Sequence, residues 1–184
     1  MQEISLNILD IVQNSIRAEA TLIELIIEEA PSTDVFSFTV KDNGCGMDEE
    51  MVERVTDPFV TTRTTRKVGL GISLLKSLAQ QAGGDINLES QVGVGTVIRA
   101  DFSYSHIDRQ PLGDISAVMV SLISMNPAID FVYTHSFEKE QFVLDTRELR
   151  KILGDEVSFS EVSVATWIGE FITENLTEIY GGAK

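Results

Sequence analysis

The sequence predicts an α+β fold, a two-layer sandwich in which helices cover one face of a mixed, mostly antiparallel sheet. The order of the predicted segments and their apolar faces lead to this prediction. Helical and strand-like segments follow the order α-β-β-α-loop-α-β-β up to residue 104. Segments of this kind have one apolar face, which must be buried against another layer. The pattern then starts again, which predicts a small α/β C-terminal extension over residues 105–184 after a first unit over residues 1–104.

The first unit begins with a helix over residues 4–18, because Ile4, Ile8, Ile11 and Val12 recur near the helical period. The runs that follow it are β-branched or alternate apolar with polar side chains, as strands do. The remaining elements of this unit are predicted as strands 21–29 and 35–42, helix 48–55, loop 57–68, helix 70–82, and strands 85–90 and 96–104.

The second unit begins with a helix in which Ile115, Val118 and Leu122 are spaced i, i+3 and i+7. Asp145 and Glu148 resemble a capping box at the start of a later helix. The predicted elements are a helix from residue 115 that ends at Asn126-Pro127, a hairpin of strands 129–137 and 141–145, and helices 146–153 and about 161–179. Packing on the first unit, dimerisation and partner docking are alternative uses of this unit.

Composition and charge restrict the function. The 184 residues include 14 Lys and Arg against 29 Asp and Glu, a net charge of −15. This argues against a nucleic-acid binder, because basic side chains hold phosphate backbones. No apolar run reaches the roughly 18 residues of a membrane-spanning helix, and the N-terminus lacks the pattern of a signal peptide. A single cysteine, Cys45, excludes an internal disulfide, so we expect a cytoplasmic protein.

A polar stripe runs along the first helix. Asp10, Asn14 and Arg17 lie at i, i+4 and i+7 and therefore project from one side. An amide oxygen suits Mg²⁺ and a guanidinium suits phosphate. The stripe is thus a candidate contact for a metal-bound polyphosphate, with a solvated helix face as the alternative.

A second candidate is Asp42 with the glycines that follow it, in the segment 42-DNGCGM-47. Glycines after a strand let a ligand approach the backbone closely. A carboxylate can accept a hydrogen bond from the exocyclic amine of adenine, whereas guanine presents a carbonyl oxygen there. An ordinary Asp-Asn-Gly turn is the alternative.

A third candidate is the segment 61-TTRTTRKVGLG-71, which runs into a helix. It has three basic residues within five positions, and glycines that open a helix leave backbone N–H groups free for an anion. A flexible basic loop is the alternative. A fourth segment, 93-GVGT-96, is by itself only a hairpin turn. The patterns G-x-x-x-x-G-K-[ST] and G-x-G-x-x-G are absent from the sequence.

In this order, the four segments resemble the N, G1, G2 and G3 boxes of the Bergerat-fold (GHKL) ATPases, which include gyrase, the large heat-shock chaperone, histidine kinases and the mismatch-repair ATPase. The resemblance covers residues 4 to about 104. The stretches 13-QNSIRAEATLIEL-25 and 41-KDNGCGMDEE-50 are most similar to mismatch-repair members, and the stretches 57–84 and 89–96 to sensor histidine kinases. The resemblance implies the Bergerat fold and binding of ATP with Mg²⁺.

The resemblance also implies roles for individual residues. Asn14 would coordinate Mg²⁺, Asp42 would bind the adenine amine, Asp10 would act as the base, and Lys67 would act near the γ-phosphate. The other residues that would contact the nucleotide are Arg17, Gly44, Gly46, Met47, Phe59, Thr62, Arg63, Arg66, Val68, Gly69, Leu70, Gly71 and Thr96.

Two features depart from the family's pattern. Hydrolytic members place a Glu four residues before the N-box Asn, where this chain has Asp10. Aspartate can act as a base, but its shorter side chain predicts slow turnover. Sensor kinases have a helical hairpin with a phosphoacceptor histidine before this domain, and the sequence begins at the N-box helix, so we expect no self-phosphorylation of that kind. His106 and His135 lie outside the boxes and are expected to be structural or solvated.

Three functions follow as alternatives. A stand-alone kinase or ATP-dependent regulator of a protein partner is favoured, because the segment over the phosphates resembles kinases. The chain is also too short for the transducer domain of the dimerising ATPases. The others are a slow ATPase that gates a partner through its lid and a nucleotide sensor without turnover. The expected partners are ATP, a protein partner or phosphoacceptor, and a second copy of the chain; Trp167 is expected in the core or at an interface.

Overall fold

A six-stranded sheet forms the centre of the computed structural model, which describes residues 3–56, 70–154 and 157–181. The helices are α1 (Ile4–Arg17), α2 (Glu49–Thr56), α3 (Leu70–Gln81), α4 (Ile115–Met125), α5 (Thr146–Leu153) and α6 (Val162–Ile179). The strands are β1 (Leu22–Ala30), β2 (Val35–Asp42), β3 (Asp85–Gln91), β4 (Gly95–Ser103), β5 (Asp130–Phe137) and β6 (Glu140–Asp145). They lie in the order β3-β4-β2-β1-β5-β6.

The predicted fold class is confirmed. All neighbouring strands are antiparallel except β1 and β5, which pair in parallel, so the sheet is mixed. The predicted helices and strands agree with the structure to within one residue at their ends. The predicted loop over 57–68 lies outside the described residues. No helix in the described ranges is long and apolar enough to cross a membrane.

The sheet has an apolar inner face because side chains alternate along each strand. In β1, Ile23, Leu25 and Ile27 are buried, whereas Glu24 and Glu28 lie on the opposite, outer face. The strand registers align the buried side chains of β1 with those of β2 and β5. Helices α1, α3 and α6 contact the sheet, and α4 packs against α1 and α6. One hydrophobic core therefore lies between the helices and the inner face.

The strands that follow residue 104 extend the same sheet. Strand β5 pairs with β1 over eight residue pairs, from Leu22 opposite Asp130 to Glu29 opposite Phe137. Strand β6 then pairs with β5 and ends the sheet. The division of the chain at residue 104 stays a prediction.

A buried polar cluster joins β1, β5 and the end of α6. The fully buried His135 ring hydrogen-bonds the Tyr133 hydroxyl at 2.6 Å and the Glu29 carboxylate at 2.9 Å. The Tyr180 hydroxyl donates to the same carboxylate. Burial raises the pKa of Tyr133 well above its ordinary value, and burial and the bond to Glu29 raise the pKa of Tyr180. Each polar group has a partner, as burial requires, and His135 has the structural position expected of it.

Candidate functional site

The Asp42 carboxylate lies at the end of β2, where two donors hold it. The Ser15 hydroxyl donates to Oδ2 at 2.5 Å, and the backbone N–H of Gly44 donates to Oδ1 at 2.9 Å. Ser15 is buried on the inner side of α1, whereas Asp42 is only half-buried. A carboxylate has about four lone-pair sites. Asp42 therefore keeps acceptor capacity for a ligand.

The turn after β2 passes very close to neighbouring backbone. A side-chain carbon added at Gly44 would lie 2.7 Å from the carbonyl oxygen of Ala18, and one added at Gly46 would lie 2.0 Å from the carbonyl oxygen of Gln91. Gly46 also has a φ of +67°, which other residues rarely adopt. The N–H of Cys45 donates to the Ala18 carbonyl at 2.9 Å. The turn is thus attached to the end of α1, and its own packing requires both glycines.

Thr96 lies directly opposite Asp42 in the pairing of β2 with β4. The Ser90 hydroxyl is 2.8 Å from the Thr96 hydroxyl, accepts the N–H of Met47 at 2.8 Å, and donates to the carbonyl of Gly95 at 3.0 Å. Ser90 therefore connects the glycine turn to the start of β4. Among the predicted residues, this end of the sheet brings together Asp42, Gly44, Gly46, Met47 and Thr96.

The predicted polar stripe lies on α1, beside the start of α3. The Arg17 guanidinium donates to the amide oxygen of Asn14 at 3.2 Å. A side-chain carbon added at Gly71, in the first turn of α3, would lie 3.9 Å from Cβ of the exposed Asp10. The N-terminus of a helix presents backbone N–H groups that attract anions. Helix α1 thus places Asp10 beside the first turn of α3, and it also supplies Ser15 to Asp42.

The remaining predicted residues fall outside the described part of the chain. They are Phe59, Thr62, Arg63, Arg66, Lys67, Val68 and Gly69. Leu70 is the first residue of α3, and its side chain is also outside that part. Their roles stay predictions.

A cleft of about 500 Å³ opens at the Asp42 end of the sheet. Asp42 and Thr96 line it, together with Glu24 and Lys41, which form an ion pair of 2.8 Å. Because Glu24 is on the outer face, the cleft reaches Asp42 from the side away from α1. A larger cleft, about 740 Å³, lies between α4 and α6, and none of its described lining residues was predicted as a site residue.

Sequence reasoning missed two residues of this region, Ser15 and Ser90. Each occupies a position where the local pattern expects an apolar side chain. Ser15 comes one helical turn after Ile11 on the buried side of α1, and Ser90 continues the inward positions of Ile86 and Leu88 in β3. A polar residue on an apolar face needs a buried partner. A serine on an otherwise apolar face was therefore the feature of the sequence that could have identified Ser15 and Ser90.

A metal ion at this site would depend on few protein ligands. Among residues 3–56, 70–154 and 157–181, no group of three or more His, Cys, Asp or Glu side chains is arranged to hold a metal. Asn14 is half-exposed at the polar stripe, and its amide oxygen accepts from Arg17. Mg²⁺ is commonly bound through one or two protein oxygens, with waters and substrate phosphates completing its ligands. The donors present therefore fit Mg²⁺ carried by a nucleotide and do not form a metal site of their own.

Comparison with protein families gives one match over this region. A family model described as histidine kinase-, DNA gyrase B- and HSP90-like ATPase matches residues 2–106. The match includes α1, the glycine turn, α3 and Thr96. Every predicted site residue lies within the matched range.

Two curated relatives have names that describe sensors. The chain is 32% identical over 109 residues to a sensor protein of Shewanella frigidimarina. The matched region covers 58% of this chain and 17% of that protein. It is 35% identical over 77 residues to the sensor kinase CckA of Brucella abortus, covering 41% of this chain and 8% of that protein. The chain therefore spans less than a fifth of the length of either relative.

Solved structures share the fold at low sequence identity. The N-terminal domain of a DNA repair protein superposes with a TM-score of 0.57 at 16% identity, covering 84% of this chain and 58% of that chain. The ATP-binding domain of topoisomerase IV from Francisella tularensis, solved with a small-molecule inhibitor, has a TM-score of 0.50 at 17% identity, with coverages of 74% and 83%. At these identities the likeness concerns the fold.

Proposed function

The chain belongs to the family of histidine kinase-, DNA gyrase B- and HSP90-like ATPases, and we propose that it binds Mg·ATP and acts on a protein partner as a stand-alone kinase or ATP-dependent regulator. The family model matches residues 2–106, which hold all the predicted nucleotide contacts. The similarity to the sensor kinase CckA of Brucella abortus supports the kinase-like class. The observation that carries the proposal is the position of the Asp42 carboxylate.

Asp42 supports selection of adenine. Ser15 and Gly44 each bond one of its oxygens and so hold the carboxylate in one orientation. A remaining lone pair would accept the 6-amino group of adenine, whereas the carbonyl oxygen of guanine would be repelled. A hydrogen bond to a charged group contributes about 1.5–3 kcal/mol. We therefore expect ATP to bind more tightly than GTP.

Asn14 is the proposed protein ligand of Mg²⁺. An amide oxygen is the kind of donor that Mg²⁺ accepts beside phosphate oxygens. Arg17, on the same side of α1, already contacts the Asn14 amide and is proposed to bind a phosphate oxygen. When bound, the metal ion would neutralise negative charge on the phosphates.

The phosphates are proposed to lie at the N-terminus of α3. Gly71 has no side chain there, so an anion could approach the backbone N–H groups of the first turn. In the sequence, Arg63, Arg66 and Lys67 come just before this helix. They are proposed to cover the phosphates, with Lys67 at the γ-phosphate.

The position of Asp10 favours a second candidate function, slow ATP hydrolysis. Asp10 is exposed beside Gly71, at the proposed phosphate end. It would accept a proton from a water molecule that attacks the γ-phosphorus, which releases ADP and inorganic phosphate. In the kinase reaction, a nucleophilic side chain of the partner would attack instead, and ADP would leave. The shorter side chain of aspartate predicts slow hydrolysis.

The fate of the γ-phosphate tests these functions. The protein is first titrated with ATP and GTP by calorimetry, and released phosphate is then followed for hours with excess Mg·ATP. Asp10→Asn is compared with Asp108→Asn, the same change at an exposed position outside residues 2–106. No release despite ATP binding supports the kinase or regulator, and release lost only in Asp10→Asn supports the ATPase. Failure to bind ATP would refute the proposed function.

A further inference from the structure

Strand β6 ends the sheet with an unprotected edge. Among residues 3–56, 70–154 and 157–181, no strand pairs with its outer side. An edge strand presents unpaired N–H and C=O groups that can pair with another strand, and charges or proline usually protect it. The middle residues 141–144 have neither, and the charged residues Glu140 and Asp145 lie only at the two ends of the strand. At the opposite edge, β3 exposes Asp85 and Glu89, which protect it.

Apolar side chains flank β6 on both faces of the sheet. On the outer face, Val143 is 51% exposed, and on the inner face Trp167 of α6 is 43% exposed. The Trp167 ring stacks on Phe171 with centroids 5.3 Å apart, and Phe171 meets Phe142 of β6 edge-on at 5.7 Å. Trp167 therefore lies beside the open edge. Tryptophan and phenylalanine are enriched at interfaces, and tryptophan often dominates their energetics.

We infer that β6 pairs in antiparallel fashion with β6 of a second copy of this chain, and that Trp167 lies in the resulting interface. Pairing about a two-fold axis at Phe142 places Gln141 opposite Val143, so residues on the same face meet. It also places Lys139 opposite Asp145 on both sides of the axis. Asp145 already pairs with Arg147 of its own chain at 2.6 Å, so Lys139 of the second copy would add a further cation beside this carboxylate.

The axis sets the positions of the α6 helices. It is perpendicular to the sheet, so the inner faces of both copies form one continuous face of a twelve-stranded sheet. Both α6 helices then lie on the same side of the junction, and each Trp167 lies next to it. Asp42 lies at the end of β2, and β1 and β5 lie between β2 and β6 in the sheet. The proposed interface is therefore separated from the Asp42 site by two strands. The inference therefore does not depend on nucleotide binding.

The test uses Trp167, the single tryptophan of the sequence, as a local probe. Sedimentation and tryptophan emission are measured on the full chain over a range of concentrations. We expect a monomer–dimer equilibrium, with a blue shift of the emission that follows dimer formation. The shift would place the interface at Trp167, because burial of the indole moves its emission to shorter wavelength.

Two variants locate the interface further. The two-fold axis places Val143 of both copies in the interface, so Val143→Glu adds two negative charges to it. We expect this variant to weaken the dimer by about tenfold or more. Asn87→Glu adds the same charge at an exposed position of β3 and should leave the dimer unchanged. Trp167→Ala should weaken the dimer as well, and circular dichroism verifies the fold of each variant. A chain that stays monomeric, or a dimer that leaves Trp167 emission and the Val143→Glu dissociation constant unchanged, would overturn the inference.

Discussion

Replacing Asp42 with asparagine removes the proposed acceptor for adenine at almost constant size. The carboxylate accepts from Ser15 at 2.5 Å and from Gly44 at 2.9 Å, one bond on each oxygen. Asparagine has one acceptor oxygen and cannot keep both bonds and also receive the adenine amine. The variant would lose a hydrogen bond to a charged group, about 1.5–3 kcal/mol. This corresponds to ATP binding weaker by about 10- to 150-fold.

The assay is calorimetric titration of the parent and of Asp42→Asn with ATP and with GTP. The new amide can donate to the carbonyl oxygen of guanine, so GTP should bind the variant more tightly than it binds the parent. The ratio of the ATP affinity to the GTP affinity should therefore fall by more than the ATP affinity does. Asp85→Asn makes the same change at the exposed start of β3 and should bind ATP like the parent. An unchanged dissociation constant for ATP would refute the assignment. So would an equal loss for ATP and GTP, because Asp42 would then support the site without reading the base.

Three further predictions concern the metal, the polar cluster and the glycine turn. Asn14→Ala should remove the Mg²⁺ dependence of ATP binding, and an affinity that still rises with Mg²⁺ would place the ion elsewhere. Tyr180→Phe should lower the free energy of unfolding by about 1–2 kcal/mol, because the bond to Glu29 is lost. Since the folded-state pKa of Tyr180 is raised, this difference should be complete below the ordinary pKa of 10 and shrink at higher pH; urea titrations at pH 8 and pH 11 measure both. Gly46→Ala adds a carbon 2.0 Å from the carbonyl oxygen of Gln91 at a positive φ. It should cost more than the roughly 1–2 kcal/mol of a left-handed residue alone, and an unchanged urea midpoint would contradict the geometry of the turn.

Much of the fold follows from local pattern. The period of the apolar residues in α1 and the alternation in β2 depend only on neighbours in sequence, so both elements were predicted to within one residue of their bounds. The Asp42 segment was identified in the same way, because a strand end followed by glycines is a local feature. The structure brings the predicted residues of β2 and β4 together, and those of α1 lie on the helix that supplies Ser15 to Asp42. The roles given to these residues stay predictions.

Partners from distant parts of the chain could not be read from sequence. The hydroxyl that holds Asp42 belongs to Ser15, 27 residues earlier, and His135 meets Glu29 from 106 residues away. No feature of the sequence around Ser15 identifies Asp42 as its partner. Such pairs form only when α1 packs on the sheet and β5 pairs with β1.

The edges of the sheet were also decided by tertiary structure. Strand β6 has an ordinary alternating pattern, and nothing in that pattern says which of its two sides will be paired. Its position at the edge follows from the parallel pairing of β5 with β1, a contact between residues more than 100 apart in sequence. Period and charge are properties of neighbouring residues and can be read along the chain. The order of strands and the partner of a buried polar group depend on which surfaces exclude water together, and only the folded chain specifies that.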